Sequence, residues 1–244
     1  MNQPIKGVIL AGGEATRLRP LTNVTNKHLL PVSRKPMIYY PIEKMTGAGI
    51  EDILIVTGCS HIGEIVNLLR SGRDFGCRFT YRVQDEAGGI AQALGLAEGF
   101  AAGAPVAVIL GDNLFEDPLG PTLARYRKQD GGAHLLLKEV DDPERFGVAE
   151  VVDDRILGIE EKPKAPKSRL AVTGIYFYDA AVYDIIRTLR PSARGELEIT
   201  DVNNHYLRVG TLGWSRMTGW WSDAGTFESL ARVHRLVEEQ PPRR

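Results

Sequence analysis

Gly7–Arg19 reads GVILAGGEATRLR, an apolar run that stops at the pair Gly12-Gly13 and is followed at once by Thr16, Arg17 and Arg19. These residue types in this order suit an anion. Glycines let backbone N–H groups approach phosphate oxygens with no Cβ in the way, and a guanidinium grips two oxygens together. A compact cation comes next, Lys27 in Asn26-Lys27-His28-Leu29-Leu30-Pro31. Two carboxylates stand further on: Asp112 in Gly111-Asp112-Asn113, directly after the apolar run Val106–Leu110, and Asp223 in Gly219-Trp220-Trp221-Ser222-Asp223-Ala224-Gly225-Thr226. Together they point to metal-assisted phosphoryl chemistry. Taken singly, each has a plainer reading. The glycine pair matches neither GxxxxGK[ST] nor GxGxxG and suits a tight turn, Gly-Asp-Asn is an ordinary turn tripeptide, the two cations suit a solvated surface, and the tryptophans suit core packing.

Such residues need a scaffold, and the hydropathy pattern predicts one. Gly7–Leu10, Ile53–Thr57, Phe79–Val83 and Val106–Leu110 read as strands, while Pro41–Ala48, Ile62–Leu69 and Ile90–Phe100 carry apolar residues at helical spacing. The order βαβαβαβ predicts an α/β fold, a Rossmann-like, mostly parallel sheet with helices on both faces and ligands at the strand ends. Beyond Asp130 the pattern becomes mixed α+β. His134–Val140, Val148–Val152, Ile156–Ile159 and Val172–Tyr178 read as strands, Asp153-Asp154 as a hairpin turn, and Phe227–Val237 as an amphipathic helix before a tail, Gln240–Arg244, expected to fray. Pro163–Lys167 is too short for a linker and there is no internal repeat, so residues 1–244 are expected to form one domain, with halves at about 1–130 and about 131–244.

Hydrophobic residues make up 43% and charged residues 25%, the balance of a soluble globular chain. With 30 Lys and Arg against 31 Asp and Glu, the net charge of -1 excludes a general field for nucleic acid or an anionic membrane, so an anionic ligand must be met by local charges. Met1–Lys6 lacks the basic start and apolar run of a secretory signal, and no apolar stretch reaches the length of a membrane span. A cytoplasmic location is expected. Cys59 and Cys77 show no paired spacing and the five histidines no zinc-ligand spacing.

The glycine pair, Thr16-Arg17-Leu18, Lys27-His28-Leu29-Leu30-Pro31 and Lys35-Pro36-Met37-Ile38, read as one pattern, resemble the signature of the sugar-1-phosphate nucleotidyltransferases: a glycine-glycine loop, x-x-T-R-L and K-x-L-L-P. Within that family four further strings are similar to those of the glucose-1-phosphate thymidylyltransferases. They are Asp142-Pro143-Glu144-Arg145-Phe146-Gly147-Val148, Glu160-Glu161-Lys162-Pro163, Ala171-Val172-Thr173-Gly174-Ile175-Tyr176 and Pro191-Ser192-Ala193-Arg194-Gly195-Glu196-Leu197-Glu198. The similarity runs from about Ile5 to Leu236 and is to the short forms, without the extra C-terminal helices of the long ones.

The resemblance implies the nucleotide-diphospho-sugar transferase fold and Mg²⁺-dependent transfer of dTMP from dTTP to glucose 1-phosphate, with release of pyrophosphate. It implies a nucleotide site of Leu10, Ala11, Gly12, Gly13, Arg17, Lys27, Gln84, Gly89 and Asp112, in which the glycine backbone and Arg17 cradle the triphosphate, Lys27 steadies charge at the α-phosphate and Gln84 reads thymine. Asp112 and Asp223 hold the Mg²⁺, and catalysis is carried by Arg17, Lys27 and these two aspartates. On the sugar side it implies Gly147, Glu161 and Val172 at glucose, Lys162 and Arg194 at its phosphate, Tyr176 in the pocket wall, and Asn113 alongside. Gln84 is expected to meet the imide edge with both donor and acceptor, and thymine and uracil, which differ there by a methyl, to be separated by about 1 to 3 kcal/mol at most. The implied partners are dTTP and glucose 1-phosphate, with no nucleic acid and no membrane, in a homo-oligomer. One departure stands out: the family usually has glycine before the Thr-Arg pair, whereas Ala15 stands here after Glu14, and a methyl there calls for negative φ. Two alternatives stay open: the same chemistry with UTP or another nucleotide or sugar phosphate, and a non-catalytic sugar-nucleotide sensor, which should have lost the charged residues that this chain keeps.

Overall fold

The computed structural model describes residues 3–243; Met1, Asn2 and Arg244, the last residue of the tail, lie outside the described residues. The first half forms β1 (Lys6–Ala11), the short strands β2 (Pro31–Val32) and β3 (Lys35–Pro36), α1 (Tyr39–Gly47), β4 (Asp52–Gly58), α2 (Ile62–Leu69), β5 (Arg78–Gln84), two short helices, α3 (Ile90–Gly95) and α4 (Glu98–Ala101), and β6 (Val106–Leu110). The long strands pair in parallel in the order β5-β4-β1-β6. The apolar runs of β1, β4 and β6 are what a strand buried on both faces requires, whereas β5 at the edge, RFTYRVQ, alternates and is half-exposed. Val8, Leu10, Leu54 and Val56 point into one core with Ala91 and Leu94 of α3, whereas Ile9, Ala11, Ile53 and Ile55 point into another with Ile42 and Met45 of α1 and Ile65 and Leu69 of α2. Helices therefore cover both faces. The expected helix Ile90–Phe100 is broken into α3 and α4 at Leu96-Ala97, directly after Gly95, one of the weakest helix formers in the run.

The second half adds β7 (Asn113–Phe115), α5 (Gly120–Tyr126), β8 (Ala133–Glu139), β9 (Gly147–Val152), β10 (Arg155–Glu161), β11 (Leu170–Tyr178), α6 (Val182–Thr188), α7 (Ile199–Arg208), β12 (Leu212–Arg216), β13 (Trp221–Asp223) and α8 (Phe227–Glu239). Strand β11 is antiparallel to β6 and β8, its early residues also pair with β9, and β12 lies parallel on β8. Among the described residues nine strands thus form one mixed sheet that runs through both halves. The β9–β10 turn is at the expected Asp153-Asp154, both in the left-handed region (φ 48° and 63°) that two-residue hairpins use. None of the helices among the described residues is long and apolar enough to cross a membrane.

Contrary to the expected fraying, the tail is tied down as far as Arg243. Trp220 Nε1 donates to the Gln240 carbonyl (2.8 Å), the Arg243 amide donates to the Glu116 carbonyl (2.9 Å), and buried Lys44 donates to the Arg243 carbonyl. Helix α8 begins in a capping box: Thr226 Oγ1 accepts from the Ser229 amide, and Ser229 Oγ accepts from the Thr226 amide. Its Val233 and Val237 then pack against Leu18, Leu30, Val32, Met37 and Leu114. The helix so braces the loop after β1. Thr226→Ala is expected to cost about 1 kcal/mol, read as a lower urea midpoint with unchanged m-value; an unchanged midpoint would show that the cap is dispensable.

Candidate active site

Strand β1 delivers the chain to Gly12 and Gly13, the latter at φ 90°, where glycine is the residue of least cost. Ala15 follows at φ 47° and ψ 42°, not the negative φ that its methyl called for. A left-handed alanine costs roughly 1 kcal/mol or more, and the conformation is held by bonds from the Leu18 amide (3.0 Å) and Thr22 Oγ1 (2.9 Å) to the Ala15 carbonyl. The turn Lys27–Leu29 is fastened next to it. Asn26 Nδ2 donates to the Ala11 carbonyl (3.3 Å), while Asn26 Oδ1 accepts from the His28 amide (2.9 Å). His28 is buried against Gly111, where a Cβ would come within 2.7 Å of the ring, so only glycine lets the end of β6 pass.

Lys27 and Asp112 meet as an ion pair, Nζ against Oδ2, with both side chains about 15% exposed. Asn113 orients the aspartate from behind: its Nδ2 donates to Asp112 Oδ1 (2.9 Å), and its Oδ1 accepts from the Gly174 amide (3.0 Å) and Trp221 Nε1 (2.8 Å). The Asn113 oxygen is thereby engaged inside the protein, while its Nδ2 keeps a second hydrogen at the wall of the second cavity described below. Strands β7 and β13 pair with Asp223 opposite Asn113, and the Ala224 amide donates to the Asp112 carbonyl (2.8 Å), which brings both aspartates to one end of a short antiparallel ladder. Asp223 is paired with Arg145 (3.3 Å), itself paired with Asp142 (2.7 Å). Gly225 leaves room for Arg17 beside Asp223, since a Cβ there would lie 2.9 Å from Asp223 Oδ2 and 3.2 Å from an Arg17 nitrogen.

The charges differ in consequence. Burial pushes the Asp112 carboxyl up, but the charge of Lys27 and hydrogen bonds from Lys27 and Asn113 outweigh it and hold the group well below the usual carboxylate range. The Asp223 carboxyl is raised, first by burial and then by the charge of Asp112, against the pull of Arg145, Arg17 and Lys27. Burial, with the nearby Lys27 charge, brings His28 down to about 3, so the ring is neutral. Two largely covered carboxylates that repel each other suit a hard cation. Among the described residues no group of three or more His, Cys, Asp or Glu could form a closed cage, and Mg²⁺ typically takes one or two carboxylates and completes its shell with water and phosphate oxygens. The pair fits such an ion.

Two cavities meet at Asp112. One of about 240 Å³ is lined by Leu10, Gly12, Gly13, Lys27, Gln84, Gly89 and Asp112, and one of about 230 Å³ by Arg17, Asp112, Gly147, Glu161, Lys162, Val172, Tyr176 and Asp223. Most of the residues marked in the sequence are therefore brought together, but Arg17, expected with the nucleotide group, lines the second cavity beside Asp223, because Gly225 leaves room for it there. Ala11 is not at the surface of either; its side chain is buried beneath the loop. Arg194 stands beside the second cavity, bound to Glu198 (2.7 Å) and near Glu161 (3.4 Å), and Thr200 Oγ1 donates to Glu161 Oε2 (2.6 Å).

In the first cavity Gln84 departs from expectation. Its Nε2 donates to the Gly89 carbonyl (3.2 Å) and to Gln92 Oε1 (2.7 Å), so both amide hydrogens are engaged and only the acceptor is left for a ligand. The two cavities are also strapped together. The Leu197 amide donates to the Gly88 carbonyl (2.8 Å), the Ala91 amide donates to the Leu197 carbonyl (3.2 Å), and at Gly89 (φ 99°) a Cβ would lie 2.5 Å from that carbonyl. Sequence reasoning passed over Asn26, Gln92, Arg145 and Thr200 as site residues. Arg145 stood inside a string quoted for its resemblance, but nothing local in the chain says that it reaches Asp223.

The sequence profile of the nucleotidyl transferase family matches residues 6–240. A glucose-1-phosphate thymidylyltransferase of Neisseria meningitidis is 45% identical over 96% of this chain and 83% of its own length. The crystal structure of a candidate glucose-1-phosphate thymidylyltransferase from Bacillus anthracis, in complex with a sucrose, superposes with a TM-score of 0.93 at 56% identity, covering 96% of both chains. A UDP-glucose pyrophosphorylase solved with UDP-glucose superposes with a TM-score of 0.85 at 26% identity, over 97% of this chain and 99% of that one.

Proposed function

The chain belongs to the nucleotidyl transferase family, and from that premise we propose that it transfers dTMP from dTTP to glucose 1-phosphate, giving dTDP-glucose and pyrophosphate. The observation that carries the reading is the position of Asp112, which lines both cavities, so that a nucleotide in one and a sugar phosphate in the other meet at the same carboxylate. The base lies at Gln84 and Gly89, the triphosphate along Gly12, Gly13 and Arg17, and the α-phosphate beside Lys27. The first half of the chain is thus the nucleotide half. In the second, Glu161, Gly147 and Val172 face the glucose, Tyr176 walls the pocket, and Lys162 with Arg194 meets the phosphate.

An oxygen of the sugar phosphate attacks the α-phosphorus in line; the new P–O bond forms as the bond to the bridging oxygen breaks, and that electron pair leaves on pyrophosphate. No general base is required, because a phosphate monoester is already ionised near neutral pH. What the reaction needs is positive charge around an anion attacked by an anion, held in place beforehand. Lys27, fixed by its turn and by Asp112, supplies such charge at the reacting phosphorus, and Arg17 supplies it at the departing phosphates. Asp112 and Asp223 would hold a divalent cation, Mg²⁺ in our reading, which when bound neutralises phosphate charge as a Lewis acid.

The test is pyrophosphate release from purified protein with glucose 1-phosphate and Mg²⁺, comparing dTTP, UTP, CTP, GTP and ATP. We expect dTTP to lead, with UTP next because the two bases share their imide edge. Another nucleotide exceeding dTTP about tenfold in kcat/KM would overturn the base assignment, and silence with every nucleotide would favour a different sugar phosphate.

A further inference from the structure

We propose that Gln92, which does not line the nucleotide cavity, sets the base selectivity of this enzyme by locking the amide of Gln84 so that only its carbonyl oxygen faces the base. This rests on the reading that the base sits at Gln84. The orientation of both amides follows from backbone groups whose polarity is not in question. The Gly88 amide can only donate, and it lies 3.1 Å from the Gln92 side chain, so the Gln92 atom there is Oε1. That oxygen also lies 2.7 Å from Gln84, whose facing atom must therefore be Nε2. The Gly89 carbonyl can only accept, and it lies 3.2 Å from the same nitrogen, which fixes the assignment a second time.

Both hydrogens of Gln84 Nε2 are thus turned back into the protein. Oε1 points the other way, towards Gly12 at the cavity wall, and accepts no hydrogen bond among the described residues. Turning Gln84 over would set its oxygen against two other oxygens, that of Gln92 and that of Gly89. Gln84 is only 9% exposed, and on its inward side no cavity among the described residues brings water to relieve this. Gln92 is itself held, since Gly88 is packed so closely on it that a Cβ there would lie 2.3 Å from Nε2. The pocket therefore offers the base a fixed acceptor. A fixed acceptor set opposite N3 pairs with the N–H that the imides thymine and uracil carry there and meets a bare lone pair in cytosine, whose N4 amino donor lies to one side. Selectivity of this kind comes from the mismatch imposed on the wrong base more than from a better contact to the right one.

The experiment compares dUTP with dCTP, which differ only at this edge, as substrates with glucose 1-phosphate and Mg²⁺ for the parent, Gln92→Met, Gln92→Glu and Gln84→Leu. Gln92→Met, close in shape but without the acceptor, frees the Gln84 amide to turn, and the dUTP to dCTP ratio of kcat/KM is expected to fall about tenfold or more. Gln92→Glu still accepts from Gly88 and Gln84 and is expected to keep the parental ratio, which a merely structural role for Gln92 would not predict. Melting temperatures are read alongside, and Gln92→Leu repeats the test with a second apolar side chain. If Gln84→Leu loses the preference while both apolar variants at Gln92 keep it, the locking role is overturned and the base site stands. If Gln84→Leu itself keeps the preference, the base does not sit at Gln84 and the reading beneath the proposal falls with it.

Discussion

Replacing Lys27 with methionine is expected to lower kcat by about 10²- to 10³-fold, the loss that follows removal of one preorganised charge at a reacting centre. The ammonium is held where charge changes hands, by the Asn26-capped turn on one side and Asp112 on the other. The change has a second, separable effect on stability. Asp112 would be left buried with its main partner gone, a loss of order 3 kcal/mol for a pair with both side chains about 15% exposed. The sign with pH follows from the depressed carboxyl. A group whose folded pKa lies below its unfolded value stabilises the fold above about pH 4 and loses that contribution as pH falls towards the folded value. The gap between parent and variant in urea unfolding should therefore be full at pH 7 and narrow below pH 4. Parental turnover in the variant would remove Lys27 from the mechanism whatever the stability data showed.

Asp223→Asn should separate activity from stability in the opposite sense. Turnover is expected to fall by about 10³-fold, since a divalent cation would lose one of its two carboxylates and several kcal/mol of charge stabilisation with it. Yet the ligand-free variant should melt higher than the parent at pH 7. Burial and the neighbouring Asp112 raise the Asp223 carboxyl, so its ionisation works against the fold. That penalty is absent below the unfolded pKa near 4 and fully present above the raised folded value, so the difference should disappear towards pH 4. Arg145 keeps Asp142 as a partner at 2.7 Å after the change. A variant that both melts lower and turns over normally would contradict the assignment on two counts.

The chain announces its sheet more openly than its site. Helix Ile62–Leu69 and strand Val106–Leu110 match the hydropathy reading at both ends, and the centre of the parallel block, β1, β4 and β6, follows from apolar runs that no half-exposed strand would carry. The short pairing of β7 with β13 has no such signal, because three residues are too few for a period to show and the partners are more than a hundred positions apart. The charged residues of the two cavities were legible as residues, through Arg17, Lys27, Asp112, Glu161, Lys162 and Asp223. Their supports were not. Arg145 reaches Asp223, and Asn26 ties Lys27 to the end of β1, across folds of the chain that composition and spacing do not encode. The free atom of Gln84 depended on the backbone polarity of Gly88 and Gly89, and the negative φ expected at Ala15 failed because neighbouring bonds hold the loop in a conformation its own methyl opposes.

The hydrogen bonds between Leu197 and the Gly88–Ala91 stretch bear on how such an enzyme can be rebuilt. Preferences for base and for sugar look like separate modules, each on its own stretch of sequence and each open to exchange with a relative. Here the main chain of one is stitched to the main chain of the other, with no room for a methyl at Gly89 to shift the seam. A graft of residues 84–92 alone would inherit a partner cut for a different donor. Residues 195–198 have to travel with it, and chimaeras that move both together should retain a seam that single-loop exchanges tear.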